Sequence, residues 1–207
     1  RYAAVGDYKT GSPKLFLNEI MAGLSLQLIT YLLALSKTKD TKDLLPAAMM
    51  YIYLHGRPKS ISVPPNGIPH AKEKENTNGI FLNDPDVLRT LDSQSGTDDG
   101  FIGVSYVKDG RVKKTSPVLT AEEFEALKAL TEKILIRLYS RLESGEIAIH
   151  PVKNGTLSPC SYCPYRSICR FDPALPENSF DYISKVSDKT IREKLDEEMK
   201  RNGKENL

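Results

Sequence analysis

The sequence predicts an α/β fold, and three stretches carry that expectation. Residues 2–9 form a short apolar run ending in Asp7-Tyr8-Lys9, which reads as a strand buried on at least one face. From Leu24 to Ser36, Leu24, Leu28, Leu32 and Leu35, widened by Ile29 and Leu33, make a broad helical stripe. Ala47 to Leu54 is apolar and aromatic between Pro46 and Gly56, and reads as a second buried strand. Strands separated by an amphipathic helix place the chain in the α/β class. With 207 residues there is room for one good-sized core, or for one core and a small appendage.

Composition bounds the function. Charge is nearly balanced, 29 Lys and Arg against 27 Asp and Glu, so any affinity for nucleic acid must come from a local patch. No apolar stretch is long enough to span a bilayer, and the start lacks a signal-peptide pattern. The 3 cysteines are clustered and too few for a secreted disulfide scaffold, which suits a reducing cytoplasm better. The chain opens within a few residues of a strand expected at the centre of a sheet. It is therefore expected to be a fragment, or one processed chain, of a larger protein.

After the first strand, residues 14–17 are ambiguous between a short strand and a loop. Residues 57–79 carry Pro58, Pro64, Pro65 and Pro69 with few apolar side chains, so a long, partly mobile loop is expected. Asp84 followed by Pro85 signals a short helix to Leu91, and residues 92–100 read as a polar connection. Phe101 to Val112 reads as a β-hairpin turning at Asp109-Gly110. Thr120-Ala121-Glu122-Glu123 is a capping box for a helix to about Ser144, stopped by Gly145, with Phe124, Leu127, Leu130, Ile134 and Leu138 as its buried face. Residues 187–207 read as a charged, solvated surface helix without assigned function.

Two constellations carry chemistry. In a strand, Asp7 and Lys9 share a face and Tyr8 takes the other. A carboxylate beside an ammonium at a strand end suits phosphodiester hydrolysis: the carboxylate holds a hard cation such as Mg²⁺, and the cation and lysine orient water and offset phosphate charge. Asp-x-Lys alone is most often a surface ion pair. Gln27 and Tyr31, four apart on the helix, share one of its faces; on their own they would read as a solvated amide and a core aromatic. The second constellation is Cys160-x-x-Cys163 followed five residues later by Cys169, with Arg166 and Arg170 alongside. Three cysteines within ten residues signal a metal, either zinc or an iron–sulfur cluster, and both ordinarily take four ligands. His150, next to Pro151, is a poor fourth. Without metal, packing through Tyr162, Tyr165 and Phe171 is the remaining means of ordering that stretch.

Asp-Tyr-Lys-x-Gly followed by Gly-Leu-x-Leu-Gln-Leu-x-x-Tyr-Leu resembles the nuclease core of the RecB-type branch of the PD-(D/E)xK superfamily. The run from Gly145 to Pro151, the three cysteines and Phe171-Asp172 resemble its iron–sulfur-staple version, above all the B subunit of AddAB-type bacterial helicase–nucleases. The match covers most of residues 1–172. The resemblance implies a restriction-endonuclease-like core, a mixed sheet flanked by helices, over residues 1–157, incomplete at its N-terminus. A cysteine segment (158–172) and a charged extension (173–207) would follow. It implies a metal-dependent deoxyribonuclease that trims single-stranded DNA, the 5′-terminated strand, at double-strand ends prepared for recombinational repair. Its partners would be DNA and the A subunit of the heterodimer. Asp7 and the Tyr8 carbonyl would hold Mg²⁺, Lys9 would act on the attacking water, and Gln27 and Tyr31 would position the strand or a water. Cys160, Cys163 and Cys169 would bind a [4Fe–4S] cluster completed by a cysteine upstream. That cysteine and a further acidic ligand precede the family's Asp-x-Lys strand and are not in this sequence, so the chain alone is expected to be inactive. The rivals are a stand-alone exonuclease of the same fold and a non-catalytic metal knuckle that binds DNA or a partner protein.

Overall fold

The computed structural model describes residues 1–11, 13–54, 77–97, 100–155, 158–176, 178–183 and 186–205. Strand β1 (Tyr2–Lys9) alternates between an exposed and a half-buried face, as its sequence requires. Its parallel neighbour is β2 (Leu45–Tyr53), with Asp7 opposite Tyr51 and Lys9 opposite Tyr53. Parallel neighbours need a crossover, and α1 (Leu17–Met21) with α2 (Gln27–Lys37) supplies it. Strand β3 (Thr77–Leu82) runs antiparallel to β2, helix α3 (Pro85–Leu91) follows, and β4 (Val118–Leu119) lies parallel to β3. The result is a mixed four-stranded sheet in the order β1-β2-β3-β4, flanked by helices.

Alternation in β2 divides the core between the two faces of the sheet. Ala47, Met49 and Tyr51 join Leu28, Ile29 and Leu32 of α2 and Phe124 and Leu127 of α4 (Ala121–Glu143). Ala48 turns the other way and packs with Phe81, Leu88, Ile102 and Val104. Helix starts follow their caps. Asp84 accepts from Asp86 N–H at 2.9 Å and Val87 N–H at 3.2 Å. Thr120 Oγ1 accepts from Glu123 N–H at 3.2 Å while Glu123 Oε2 accepts from Thr120 N–H at 2.8 Å.

Several expectations are corrected. Among the described residues β1 pairs with β2 alone, so it is an edge strand rather than a central one; its outer face carries Tyr2 and Tyr8, both exposed. Residues 14–17 lead directly into α1. The expected loop at 57–79 falls outside the described residues as far as 76, but Thr77-Asn78-Gly79 opens β3. Gly79 is required there: a Cβ would sit 2.5 Å from Met49 O and from Met50 Cβ on the facing strand. The hairpin shrinks to one bridge, Tyr106 to Val112. Ser116 Oγ takes the Ser105 N–H, a backbone donor that a longer ladder would use, and also donates to Ser105 O, which Lys113 N–H reaches at 2.8 Å. Leu138 is exposed, because α4 outruns its partners toward its C-terminus.

The C-terminal stretch is not a solvated appendage. A two-stranded ribbon joins β5 (Val152–Lys153) to β6 (Asp181–Tyr182), across a 3-10 turn (Pro159–Tyr162) and α5 (Arg166–Cys169). Helix α6 (Asp188–Glu205) lies on α4 and buries Ile191 and Leu195 in the main core. Glu198, also buried, pairs with Lys133, and Arg192 pairs with Glu123.

Candidate active site

Ser25 decides where α2 begins. Its backbone is left-handed (φ 50°), which an L side chain adopts only at a cost, so the helix starts at Gln27 rather than Leu24. The turn is tied down by Ser25 Oγ donating to Glu19 Oε2 at 3.0 Å. Gln27 thus sits at the N-terminal end of α2, facing the C-terminal end of β1.

Four side chains meet there. Lys9 Nζ lies 2.7 Å from Asp7 Oδ2 and donates to Gln27 Oε1 at 3.1 Å. The Gln27 amide nitrogen donates to Asp7 Oδ1 at 3.4 Å and to the Tyr31 hydroxyl at 3.1 Å. Each contact uses the group in its proper role: the ammonium donates, the amide oxygen accepts, the amide nitrogen donates. Tyr8 points away and is exposed. The hydrogen bond to Asp7, reinforced by that carboxylate's charge, raises the Lys9 pKa although burial opposes it, so Lys9 is an ammonium ion here.

Two contributors went unread in the sequence. The Tyr51 ring lies beneath Lys9, 5.2 Å from Nζ to centroid. Burial pushes the Tyr51 phenol up, only partly offset by Lys9. Its signal was available only through strand register, which sets Tyr51 opposite Asp7. Glu19 is the second: besides Ser25, it accepts from Asn154 Nδ2 at 3.3 Å, joining the C-terminal ribbon to the turn before α2.

Asp7 fits a hard cation. Its Oδ2 is shut off from solvent and, the Lys9 ion pair aside, has no hydrogen-bond partner. That oxygen is already met by the Lys9 ammonium at 2.7 Å, so the fit to a cation rests on the chemistry of a carboxylate at the strand end. The cysteines are different. Cys160 and Cys163 are half-buried, Cys169 is exposed, and all three are free thiols. Among the described residues no three His, Cys, Asp or Glu side chains are grouped to hold a metal ion, so the thiols have the right chemistry but are not gathered. His150 pairs with Ser179 at 3.0 Å. Tyr162 and Tyr165 are 80% and 67% exposed, while Phe171 packs edge-on against Phe180 with centroids 4.8 Å apart.

The chain is similar to known proteins over most of its length. The sequence model described as the PD-(D/E)XK nuclease superfamily matches residues 1–170. The chain is 32% identical over 197 residues to the B subunit of the ATP-dependent helicase/deoxyribonuclease of Desulforamulus reducens, covering 92% of the chain and 17% of that relative. It is 33% identical over 198 residues to the protein of that name in Clostridium kluyveri, with coverage of 92% and 17%. For the Clostridium acetobutylicum protein the identity is 30% over 213 residues, with coverage of 99% and 18%. The chain thus spans under a fifth of the length of these relatives. No described helix is long and apolar enough to cross a membrane.

Proposed function

Because the chain belongs to the PD-(D/E)XK nuclease superfamily, we propose that it is the metal-dependent deoxyribonuclease domain of a helicase–nuclease B subunit. The complete protein would pair with an A subunit in the cytoplasm and process double-strand ends for recombinational repair, cleaving the 5′-terminated single strand. The observation that carries this reading is the cluster of Asp7, Lys9, Gln27 and Tyr31. An ion pair alone is a common surface feature; one locked to an amide 18 residues away, itself held by a phenol, is a built site.

Asp7, with the Tyr8 carbonyl, is the proposed seat of Mg²⁺; a partly exposed carboxylate near the C-terminal end of β1 supports it. When bound, the cation supplies Lewis-acid charge beside the phosphodiester. Lys9, held as an ammonium, orients the attacking water and offsets charge that builds on the phosphorane-like state. Gln27 fixes the Lys9 and Asp7 head groups relative to each other, and Tyr31 fixes which way the amide faces. Cys160, Cys163 and Cys169 are the proposed [4Fe–4S] ligands, supported by their spacing in the sequence and by their free thiols. No chemical step is assigned to that cluster.

Lys9→Ala in the complete protein, assembled with its partner, tests the reading. Loss of one preorganised electrostatic stabiliser is worth about 10²–10³-fold, so cleavage should fall at least that far while ATP hydrolysis and unwinding stay near normal. Undiminished cleavage of single-stranded DNA would sink the proposal.

A further inference from the structure

A groove with a small excess of positive charge has one of its walls beyond residue 170, where the match to the superfamily model ends. Between α1, α4 and α6 opens a cavity of about 440 Å³, with Leu130 and Ile134 beneath and Lys133, Arg137, Lys194 and Arg201 around it. A second cavity, about 240 Å³, shares Met21 and Lys194 with the first and continues between α1 and the β5–β6 ribbon, where Asn18 and Tyr182 line it.

Lys133, Arg137, Lys194 and Arg201 stand against Glu197, Glu198 and Asp181 along the two cavities, an excess of one positive charge. Glu198 is spent on Lys133 and Arg201. Glu197 and Asp181 also face the groove. Arg137 and Lys194 are exposed and form no ion pair among the described residues. At the ribbon end Tyr182 is 68% exposed. Lys153 Nζ stands 5.8 Å from its ring centroid and 4.9 Å from that of Phe180. Cations beside an exposed aromatic face are what a nucleic-acid single strand requires: phosphates meet the cations, and an unpaired base stacks on the ring. A duplex has no free base to offer Tyr182.

A hydrogen-bond relay ties the ribbon end of the groove to the turn that starts α2. Asn154, next to Lys153, bonds Glu19, and Glu19 holds Ser25, two residues before Gln27. Helix α1 therefore turns Glu19 toward the cluster and Asn18 and Met21 toward the groove.

We propose that this groove is the track of the single-stranded DNA substrate, with phosphates along Arg137 and Lys194 and a base stacked on Tyr182 before the strand reaches Asp7 and Lys9. The proposal rests on the nuclease reading and adds the substrate's path. The test uses the complete protein with its partner. In EDTA, a 5-iododeoxyuridine-bearing oligothymidylate should photo-cross-link to Tyr182, and Tyr182→Ala should lose the adduct while Tyr182→Phe keeps it. With metal present, Arg137→Gln combined with Lys194→Gln should raise the KM for a single strand on the order of ten-fold and flatten its log–log salt slope by about 1.4, two phosphate contacts' worth, with little change in kcat. An unchanged KM and salt slope, with Lys9→Ala still abolishing cleavage, would overturn the groove and leave the nuclease reading intact. Full cleavage by Lys9→Ala would overturn the nuclease reading itself. Loss of the partner protein from the double variant at unchanged KM would identify a protein interface and overturn the track.

Discussion

At the scale of residues, magnitudes separate stability from function. The Lys9 and Asp7 side chains are 32% and 22% exposed, so their pair is worth at most about 1 kcal/mol to folding. Its value lies in where it holds an ammonium and a carboxylate. Tyr51 contributes to that placement as the surface beneath Lys9. A cation–π contact is worth about 0.5–1 kcal/mol, or roughly 2–5-fold in rate. Tyr51→Leu should accordingly lower kcat for DNA cleavage by about that factor with KM nearly unchanged, whereas Tyr51→Phe, which keeps the ring face, should cleave normally. Equal cleavage by the two variants would remove Tyr51 from the site.

At the scale of elements, the register of β1 against β2 and the start of α2 place the cluster. Strand β2 is held on its far side by β3, where Gly79 faces Met50 with no room for a side chain. A methyl group there meets backbone atoms, which cannot rotate away as a side-chain tip can. Gly79→Ala should therefore destabilise the fold by about 1–3 kcal/mol, the usual cost of overpacking. Denaturant unfolding would reveal it as a lower midpoint at unchanged slope. A midpoint equal to the parent's would mean that the two strands have room to separate.

At the scale of the whole molecule, α6 closes the face of the core that α2 and α4 leave open. Leu195 is fully buried there, and Ile191 nearly so. Leu195→Ala should cost about 2–5 kcal/mol, as for other buried leucines. If α6 also forms one wall of the DNA groove, the same variant should weaken single-strand binding before it abolishes cleavage. Thermal melting and fluorescence anisotropy with an oligonucleotide measure the two effects. A melting temperature within a degree of the parent's would show that α6 is dispensable to the core.

Sequence alone determined whatever is written in local pattern. Alternation along residues 2–9 fixes Asp7 and Lys9 to one face, and the 3.6-residue repeat sets Gln27 and Tyr31 on another. Caps at Asp84 and Thr120 start helices that begin where their side chains bond the backbone. Only the tertiary structure decided the rest. That the two faces meet depends on a crossover between parallel strands, and Tyr51 enters the site through strand pairing. Gly79 reads as the end of a loop until the facing strand shows why no side chain fits. The tail reads as solvated because few of its residues are apolar, yet Ile191 and Leu195 are enough to dock it once α4 offers a complementary face. Local periodicity reports how a segment prefers to fold; which segments touch depends on burial and pairing between residues far apart in the chain, and no short window of sequence contains that.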